Sequence, residues 1–314
     1  MTVLVALDHV SLKDVVTVQR DAAEVGESTI HLRAGERLSV RDLVEAALIQ
    51  SANDAADALA DYVAHGDTHD FVALMNERAR ELGLRHTHFT RPDGLDAPGH
   101  LSSARDVERL AEIAMHNRVV RAIVRKRTAT ISGGRRLYTW NDLLGHFPGL
   151  IGVKTGHTAA AGWSEVAAAR GPGFTIYTVV LGSPSRAQRN ADLARLLAWG
   201  LAQYRLAPVV ARNHMYARIG VGYGRRPLDL VTTRPLRRPV RLGRPLVERI
   251  VVPADATLPV RRGQRIGEVR VFAGRRLVGM RPLVAARSVA RPGLTGRVGW
   301  YAGRTVHHLW SWIT

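Results

Sequence analysis

In the first 120 residues, apolar positions recur at the three- and four-residue spacing of amphipathic helices. Residues 1–9 are apolar from the start with no N-cap residue before them, so they resemble the back half of a buried helix. Ser39, followed by Asp42 three residues later, predicts a helix start close to a capping box. That helix is interrupted by the polar cluster 50–54 and resumes through Leu59. Further helices are predicted at 71–82 and 103–116.

From Thr128 the apolar period changes to two, which is typical of β-strands. Residues 128–132 and 136–139 flank two glycines, a pattern that predicts a hairpin. Strands are predicted at 151–155, 164–169 and 174–181, followed by a long amphipathic helix at 190–204. Beyond Pro208 the chain consists of short apolar runs between glycine, proline and arginine. This pattern indicates a small β-rich domain whose boundary lies near 205–210.

Charge is distributed unevenly between these two parts. Of the net charge of +18, the segment from Leu206 to the end carries +17, from 21 arginines and four acids. A basic segment of this kind can attract nucleic acid, anionic lipid or an anionic wall polymer. The arginine content also fits a compositional bias, because only three of the chain's 45 lysines and arginines are lysines. We therefore expect no specific nucleic-acid binding.

The chain contains no cysteine, which excludes disulfides, thiol catalysis and cysteine-ligated zinc. No apolar run approaches the roughly 18–20 residues of a transmembrane helix. The residues after Met1 also lack the basic segment and cleavage site of a signal peptide. Taken alone, these features favour a cytoplasmic protein, an inference that depends on a complete amino terminus.

Two polar triplets lie 103 residues apart in contexts suited to a binding cleft. Ser51-Ala52-Asn53 falls at the break between two predicted helices, and Lys154-Thr155-Gly156 lies at the end of a glycine-flanked strand. Taken singly, the first has the ordinary explanation of a helix cap and the second that of a turn. Together, their order and contexts are similar to the Ser-Asp-Asn and Lys-Thr-Gly motifs of penicillin-binding proteins and class A β-lactamases.

The surrounding segments resemble the low-molecular-mass D-alanyl-D-alanine carboxypeptidases more closely than the β-lactamases. Residues 48–56 are similar to that family's second motif, with Ala52 where glycine is common, and residues 152–158 are similar to its third. Further similar segments are 89–95, 100–104 and 141–144, with a looser similarity through 263–289.

This resemblance implies a mixed α/β (α+β) fold, in which a transpeptidase-like domain with an antiparallel sheet and helices occupies residues 1–205. A β-rich domain is expected at 209–290 and a separate tail at 292–314. The implied activity is that of a serine-type carboxypeptidase, which removes the terminal D-alanine from peptidoglycan stem peptides through an acyl-serine intermediate. β-Lactams are then expected as inhibitors, and no cofactor is expected.

The resemblance also implies a role for each motif residue. Ser51 is the expected proton relay to the leaving D-alanine, and Asn53 is expected to hold the substrate's amide, which makes these two the catalytic candidates. The substrate-binding candidates are Lys154, Thr155, Gly156 and His157. Lys154 is a cation suited to the substrate's terminal carboxylate, Thr155 can add a hydrogen bond, and the backbone N–H of His157 is an expected oxyanion donor. Gly152 and Gly156 are expected to leave room for a peptide beside the strand.

The family's first motif, Ser-x-x-Lys, does not occur in the printed sequence. Residues 1–7 are similar to the helix that follows this motif, so the nucleophile and its lysine are expected just before Met1. Ser11 and Lys13 have the wrong spacing, because the two side chains must share one helical face. Two explanations stay open: a start at an internal methionine, or a relative that binds peptidoglycan without being acylated. The first explanation predicts a missing signal peptide and an extracytoplasmic, membrane- or wall-associated protein.

Three other features are candidates for binding sites. His65, His69 and Asp70 lie in a glycine-containing polar loop, and His86 and His88 have no third ligand nearby, so no metal site is expected. The tail carries a helical apolar stripe flanked by arginine, which suits a membrane-interface helix and equally a helix docked on the β-rich domain. The residues of this stripe are Val306, Leu309, Trp310 and Ile313.

Overall fold

The structure is a computed structural model that describes residues 1–298 and 300. The chain divides into two compact units, one comprising Met1–Ala202 and the other beginning at Gln203. The division predicted near 205–210 falls inside the strand Tyr204–Val210. That strand pairs with Leu236–Arg241 and therefore belongs entirely to the second unit. The tail stripe from Val306 to Ile313 lies outside the described residues.

The first unit contains eight α-helices. They are α1 (Thr2–His9), α2 (Arg20–Glu24), α3 (Val40–Glu45), α4 (Asn53–Val63), α5 (Thr68–Glu81), α6 (Ala104–His116), α7 (Arg118–Ile123) and α8 (Arg186–Ala202). The predicted cap of α3 is present, because Ser39 Oγ accepts the Asp42 N–H at 3.1 Å. Helix α8 begins four residues before its predicted start at 190, because Ser185 Oγ accepts the Gln188 N–H at 3.1 Å and caps the helix there.

The strands of the first unit are β1 (Val15–Thr17), β2 (Arg37–Ser39), β3 (Thr128–Thr130), β4 (Arg136–Tyr138), β5 (Leu150–Thr158), β6 (Gly162–Gly171) and β7 (Phe174–Ser183). Strands β5, β6 and β7 form an antiparallel sheet in that order, so β5 is an edge strand. Ala167 and Ala169 pack with Leu193 and Leu197 of α8. Val166 and Ala168 join the larger core with α1, α3, α4 and α6.

The second unit consists of strands around a separate apolar core. They are β8 (Tyr204–Val210), β9 (Met215–Ile219), β10 (Leu228–Val231), β11 (Leu236–Arg241), β12 (Leu246–Val251), β13 (Arg265–Ala273) and β14 (Arg276–Ala285). Five of them form a sheet in the order β12-β13-β14-β10-β9, and β11 pairs with β8. Leu228, Leu230, Val269, Val271 and Leu283 are buried in its core.

The mixed α/β class with antiparallel sheets is confirmed, since every paired strand of the described chain runs antiparallel to its neighbour. None of the helices in the described residues is both long enough and apolar enough to cross a bilayer.

Candidate active site

Ser51 lies at a break in the helical backbone between α3 and α4. The chain after α3 widens into a π-helical turn, Ala46–Gln50, and the backbone N–H of Ser51 closes it on the carbonyl of Ala46. Ser51 itself is left-handed, with φ of 61°, a conformation that costs free energy for a residue other than glycine. This break turns the Ser51 hydroxyl out of the helical core and toward a cleft.

Three hydrogen bonds to Gln50 hold this break in place. The carbonyl of Gln50 accepts from Ser28 Oγ at 3.0 Å and from Trp140 Nε1 at 2.8 Å. The side-chain amide of Gln50 donates to the carbonyl of Thr29 at 3.0 Å. Sequence reasoning did not single out Ser28 or Trp140. Both act through the backbone of a neighbouring residue, and no motif shows such contacts.

Asn53 is buried at the start of α4 and lines the cleft. Its backbone N–H donates to the carbonyl of Ser28 at 2.7 Å, and its Nδ2 donates to the carbonyl of Gly26 at 3.1 Å. With Nδ2 used in this way, the side-chain Oδ1 is the atom that can accept a hydrogen bond from a ligand. An amide N–H of a peptide is a donor of the required kind.

Lys154 of β5 joins the two triplets. Its Nζ donates to Ser51 Oγ at 2.7 Å and to the carbonyl of Thr155 at 2.5 Å. An ammonium carries three N–H donors, so one is left for a ligand once these two bonds are made. Burial of the ammonium lowers the pKa of Lys154 to about 8, against the opposing effect of the Glu165 carboxylate. The ammonium and neutral amine forms of Lys154 are therefore both populated near neutral pH.

Strand β5 presents an open edge to the cleft. The Thr155 carbonyl accepts a hydrogen bond from Lys154 Nζ, and backbone groups of alternate residues point to the same side of a strand. By the same alternation, the backbone N–H of His157 lies on the side of the strand that the Thr155 carbonyl faces. The exposed His157 ring stacks on Trp163 of β6, with 4.1 Å between the ring centroids.

The two glycines expected to make room for a peptide differ in their surroundings. A Cβ added at Gly156 would meet no atom within 4 Å, so this position does leave space beside the strand. At Gly152, φ is 138° and an added Cβ would lie 2.7 Å from Val124 Cγ2. The expectation for Gly152 is therefore wrong, because its small size is needed for packing against Val124 inside the unit.

A buried ion pair involves β6, the strand next to β5. Glu165 of β6 pairs in register with Thr155, and its Oε2 lies 3.2 Å from Arg189 Nε of α8. Burial raises the pKa of Glu165 to about 7, although the Arg189 guanidinium opposes this effect. The Glu165 carboxylate is also the group that raises the pKa of Lys154.

Ser51, Asn53 and residues 154–157 line a cleft of 390 Å³ whose other walls are α1, α6 and the loop 91–95. The loop is braced by Arg91, which donates to both carboxylate oxygens of Asp93 at 2.9 and 2.6 Å. Met1 lines the same cleft, and burial together with repulsion by Lys154 lowers the pKa of its α-amino group to about 6. Within the described part of the chain, no group of three histidine, aspartate or glutamate side chains could hold a metal ion.

Comparison with known proteins identifies the family to which this chain belongs. The sequence model of the D-alanyl-D-alanine carboxypeptidases matches residues 1–185. The chain belongs to this family. It is 29% identical to the D-alanyl-D-alanine carboxypeptidase DacF of Bacillus subtilis, over 93% of this chain and 78% of that protein. It is 32% identical to the D-alanyl-D-alanine carboxypeptidase DacD of Escherichia coli, over 92% and 77%.

Among solved structures, the chain is similar to penicillin binding protein 6B from Escherichia coli, with a TM-score of 0.65 and 29% identity. That alignment covers 90% of this chain and 86% of the other. The resemblance inferred from the two triplets is thus confirmed, and with it the class of serine-type D-alanyl-D-alanine carboxypeptidases. The structure brings Ser51, Asn53 and the Lys154–His157 segment of this carboxypeptidase-family chain to one cleft.

Proposed function

We propose that the cleft binds the D-alanyl-D-alanine end of a peptidoglycan stem peptide along the open edge of β5. The observation that carries this proposal is the bond of 2.7 Å between Lys154 Nζ and Ser51 Oγ beside that edge. The remaining N–H of Lys154 and the Thr155 hydroxyl face the substrate's terminal carboxylate, and Asn53 Oδ1 accepts a substrate amide. Gly156 leaves the space in which the peptide backbone lies.

In the proposed reaction, a serine hydroxyl attacks the carbonyl of the penultimate D-alanine, and the backbone N–H of His157 stabilises the oxyanion. The Ser51–Lys154 pair then passes a proton to the nitrogen of the departing D-alanine. A pKa of about 8 suits Lys154 to this relay, because both protonation states are populated near neutral pH. β-Lactams acylate the same serine and are inhibitors of the complete enzyme.

No serine of the printed sequence stands three residues before any of its three lysines. We therefore assign the nucleophilic serine and its lysine base to a segment ahead of Met1 in the complete enzyme. The second candidate is a relative that binds stem peptides without acylation. We also propose an extracytoplasmic, membrane- or wall-associated location, because this substrate lies outside the cytoplasm.

The test is labelling with a fluorescent penicillin, together with binding of a peptide that ends in D-alanyl-D-alanine. We expect the printed chain to bind the peptide without being labelled by penicillin. Extension by an upstream segment containing Ser-x-x-Lys is expected to restore labelling, and Lys154→Ala in the extended chain is expected to weaken it greatly. Labelling of the printed chain would overturn the placement of the nucleophile. Equal binding of a peptide ending in L-alanyl-L-alanine would overturn the proposed substrate.

A further inference from the structure

The five-stranded sheet of the second unit has one face packed in a core and one face in solvent. Val269 and Val271 of β13 and Leu283 of β14 are fully buried on the core side. Because side chains alternate along a strand, the residues between them point outward. In a sheet with one solvated face, these outward positions are normally polar.

Here the outward positions are mostly apolar. Val247 of β12 lies opposite Phe272 of β13, which in turn lies opposite Leu277 of β14, so one apolar row crosses three strands. Met280 and Val251 lie on the same side of the sheet, which we call the outer face, and Arg249 and Arg270 lie between Val251 and the apolar row. Val247, Val251, Leu277 and Met280 are each between 43% and 47% exposed. An exposed group of apolar side chains of this kind indicates an interaction site.

Cations lie on and beside the outer face. The Arg249 guanidinium lies 4.9 Å from the centre of the Phe272 ring, and Arg270 is directly opposite Arg249 on the neighbouring strand. The carboxylate on this face, Glu268, accepts from Arg265 at 2.9 Å and from Arg270 at 2.6 Å, so its charge is already neutralised. Arg275 and Arg276 are exposed at the turn beside Leu277.

The apolar row and the arginines of the outer face together distinguish between possible partners. A second copy of the chain is disfavoured, because it would bring two cationic rims together. A hydrophilic polyanion would use the arginines but leave the apolar row in water. An anionic phospholipid surface satisfies both features, since its headgroups attract the arginines while the apolar side chains enter the interface.

We propose that the outer face, formed by Val247, Val251, Phe272, Leu277 and Met280 with its arginine rim, docks on an anionic phospholipid surface. The Arg249–Phe272 stack holds one guanidinium along the face, from which it can reach a phosphate while Phe272 enters the interface. This inference does not depend on the proposed enzymatic function. It concerns residues distinct from the tail stripe, and it predicts lipid binding that remains when the stripe is changed.

The experiment is flotation of the full chain with vesicles of phosphatidylcholine, either alone or with about one third phosphatidylglycerol. We expect binding to the anionic vesicles, weakened by high salt. The double variant Val247→Ser/Leu277→Ser keeps the net charge and is expected to bind roughly tenfold more weakly, because two half-exposed aliphatic side chains no longer enter the interface. The matched control is Leu181→Ser/Leu196→Ser, which removes two similarly exposed leucines from the first unit and is expected to bind like the parent.

Two results would overturn the proposal. One is a Val247→Ser/Leu277→Ser variant that binds vesicles as the parent does, since the lipid contact would then lie elsewhere in the chain. The other is a parent that is a dimer in solution and becomes monomeric in this double variant, since the outer face would then bind a second copy. Thermal unfolding of each variant shows whether the fold is kept. If it is not, Arg249→Gln, which leaves the apolar row intact, must itself weaken binding to the anionic vesicles.

Discussion

Trp140 Nε1 donates a hydrogen bond of 2.8 Å to the carbonyl of Gln50, the residue that precedes Ser51. The indole ring is held in turn by the Arg186 guanidinium, 5.1 Å from the ring centroid, and Arg186 forms an ion pair with Asp142. A chain of contacts thus runs from α8 to the backbone break at Ser51. Because the left-handed Ser51 must be held by its surroundings, Trp140 acts as a positioning residue for the Ser51 hydroxyl.

Trp140→Phe keeps an aromatic ring and removes this donor. We expect the affinity for a D-alanyl-D-alanine peptide to fall by about five- to tenfold, which corresponds to the roughly 1 kcal/mol typical of one hydrogen bond. Isothermal titration calorimetry measures this change. Trp199→Phe, on the exposed side of α8, is the control and is expected to leave affinity unchanged. An unchanged affinity in Trp140→Phe would show that Ser51 is held without the indole donor.

The lowered pKa of Lys154 predicts a pH dependence of peptide binding. The ammonium form attracts the peptide's terminal carboxylate and the neutral amine does not, so affinity is expected to fall as the pH rises through about 8. Titration of peptide binding between about pH 6 and pH 10 measures this midpoint, which lies well below the pKa of about 10.4 of an ordinary lysine.

Lys154→Arg provides the matched control, because a guanidinium stays charged over that range. Its peptide affinity, even if weaker at neutral pH, is expected to show no midpoint near pH 8. A midpoint that persists in Lys154→Arg would assign the titration to another group, such as the α-amino group of Met1.

The parts of the fold that the sequence predicts are those that contribute apolar residues to a core. The strands predicted at 151–155 and 164–169 correspond to the centres of β5 and β6, whose apolar residues pack in the helical core and against α8. Helix α7, with six residues, is too short to show a helical period. It is instead fixed by Asn117, whose Oδ1 accepts the N–H of Val119 at 2.8 Å.

At the site, the sequence identifies residues that belong to motifs and misses those that act across the fold. Ser51 and Lys154 were recognised from their triplets, and their contact follows from the way β5 passes the break before α4. Trp140 is 90 residues from Gln50, and neither residue carries a local signal of the bond between them. Gly152 was misassigned for the same reason, because Val124 behind it comes from a distant part of the chain.

The pKa of Asp57 in α4 predicts that the stability of the fold depends on pH. Burial and the nearby Asp93 carboxylate raise its pKa to about 7, and its Oδ1 is buried without a hydrogen-bond partner among the described residues. Since the folded state holds this proton more tightly than the unfolded state, the stabilisation is present below about pH 4 and is lost as the pH rises to about 7.

Asp57→Asn removes the titration. We expect the variant to melt like the parent near pH 4 and several degrees higher at pH 8, given that about 1 kcal/mol corresponds to about 2–4 °C in a domain of this size. Scanning calorimetry at both pH values measures the difference. Glu77→Gln, an exposed acid on α5, is the control and is expected to show no such divergence. Equal melting temperatures of the parent and Asp57→Asn at pH 8 would mean that ionisation of Asp57 does not destabilise the folded state.

Alanine variants at Gly152 and Gly156, which lie in the same strand, test stability and peptide binding separately. In Gly152→Ala, the new Cβ meets Val124 at 2.7 Å on a backbone with φ of 138°, so we expect a loss of about 1–3 kcal/mol in the free energy of unfolding.

In Gly156→Ala, the added methyl group meets nothing in the folded chain, and the expected stability is that of the parent within about 0.5 kcal/mol. The methyl group does occupy the space in which the peptide lies, so peptide affinity is expected to fall by about tenfold or more. Denaturant titration and calorimetric binding measure the two effects. A Gly156→Ala variant that binds the peptide as tightly as the parent would place the substrate away from the β5 edge, because only a backbone lying against that edge is close enough to be displaced.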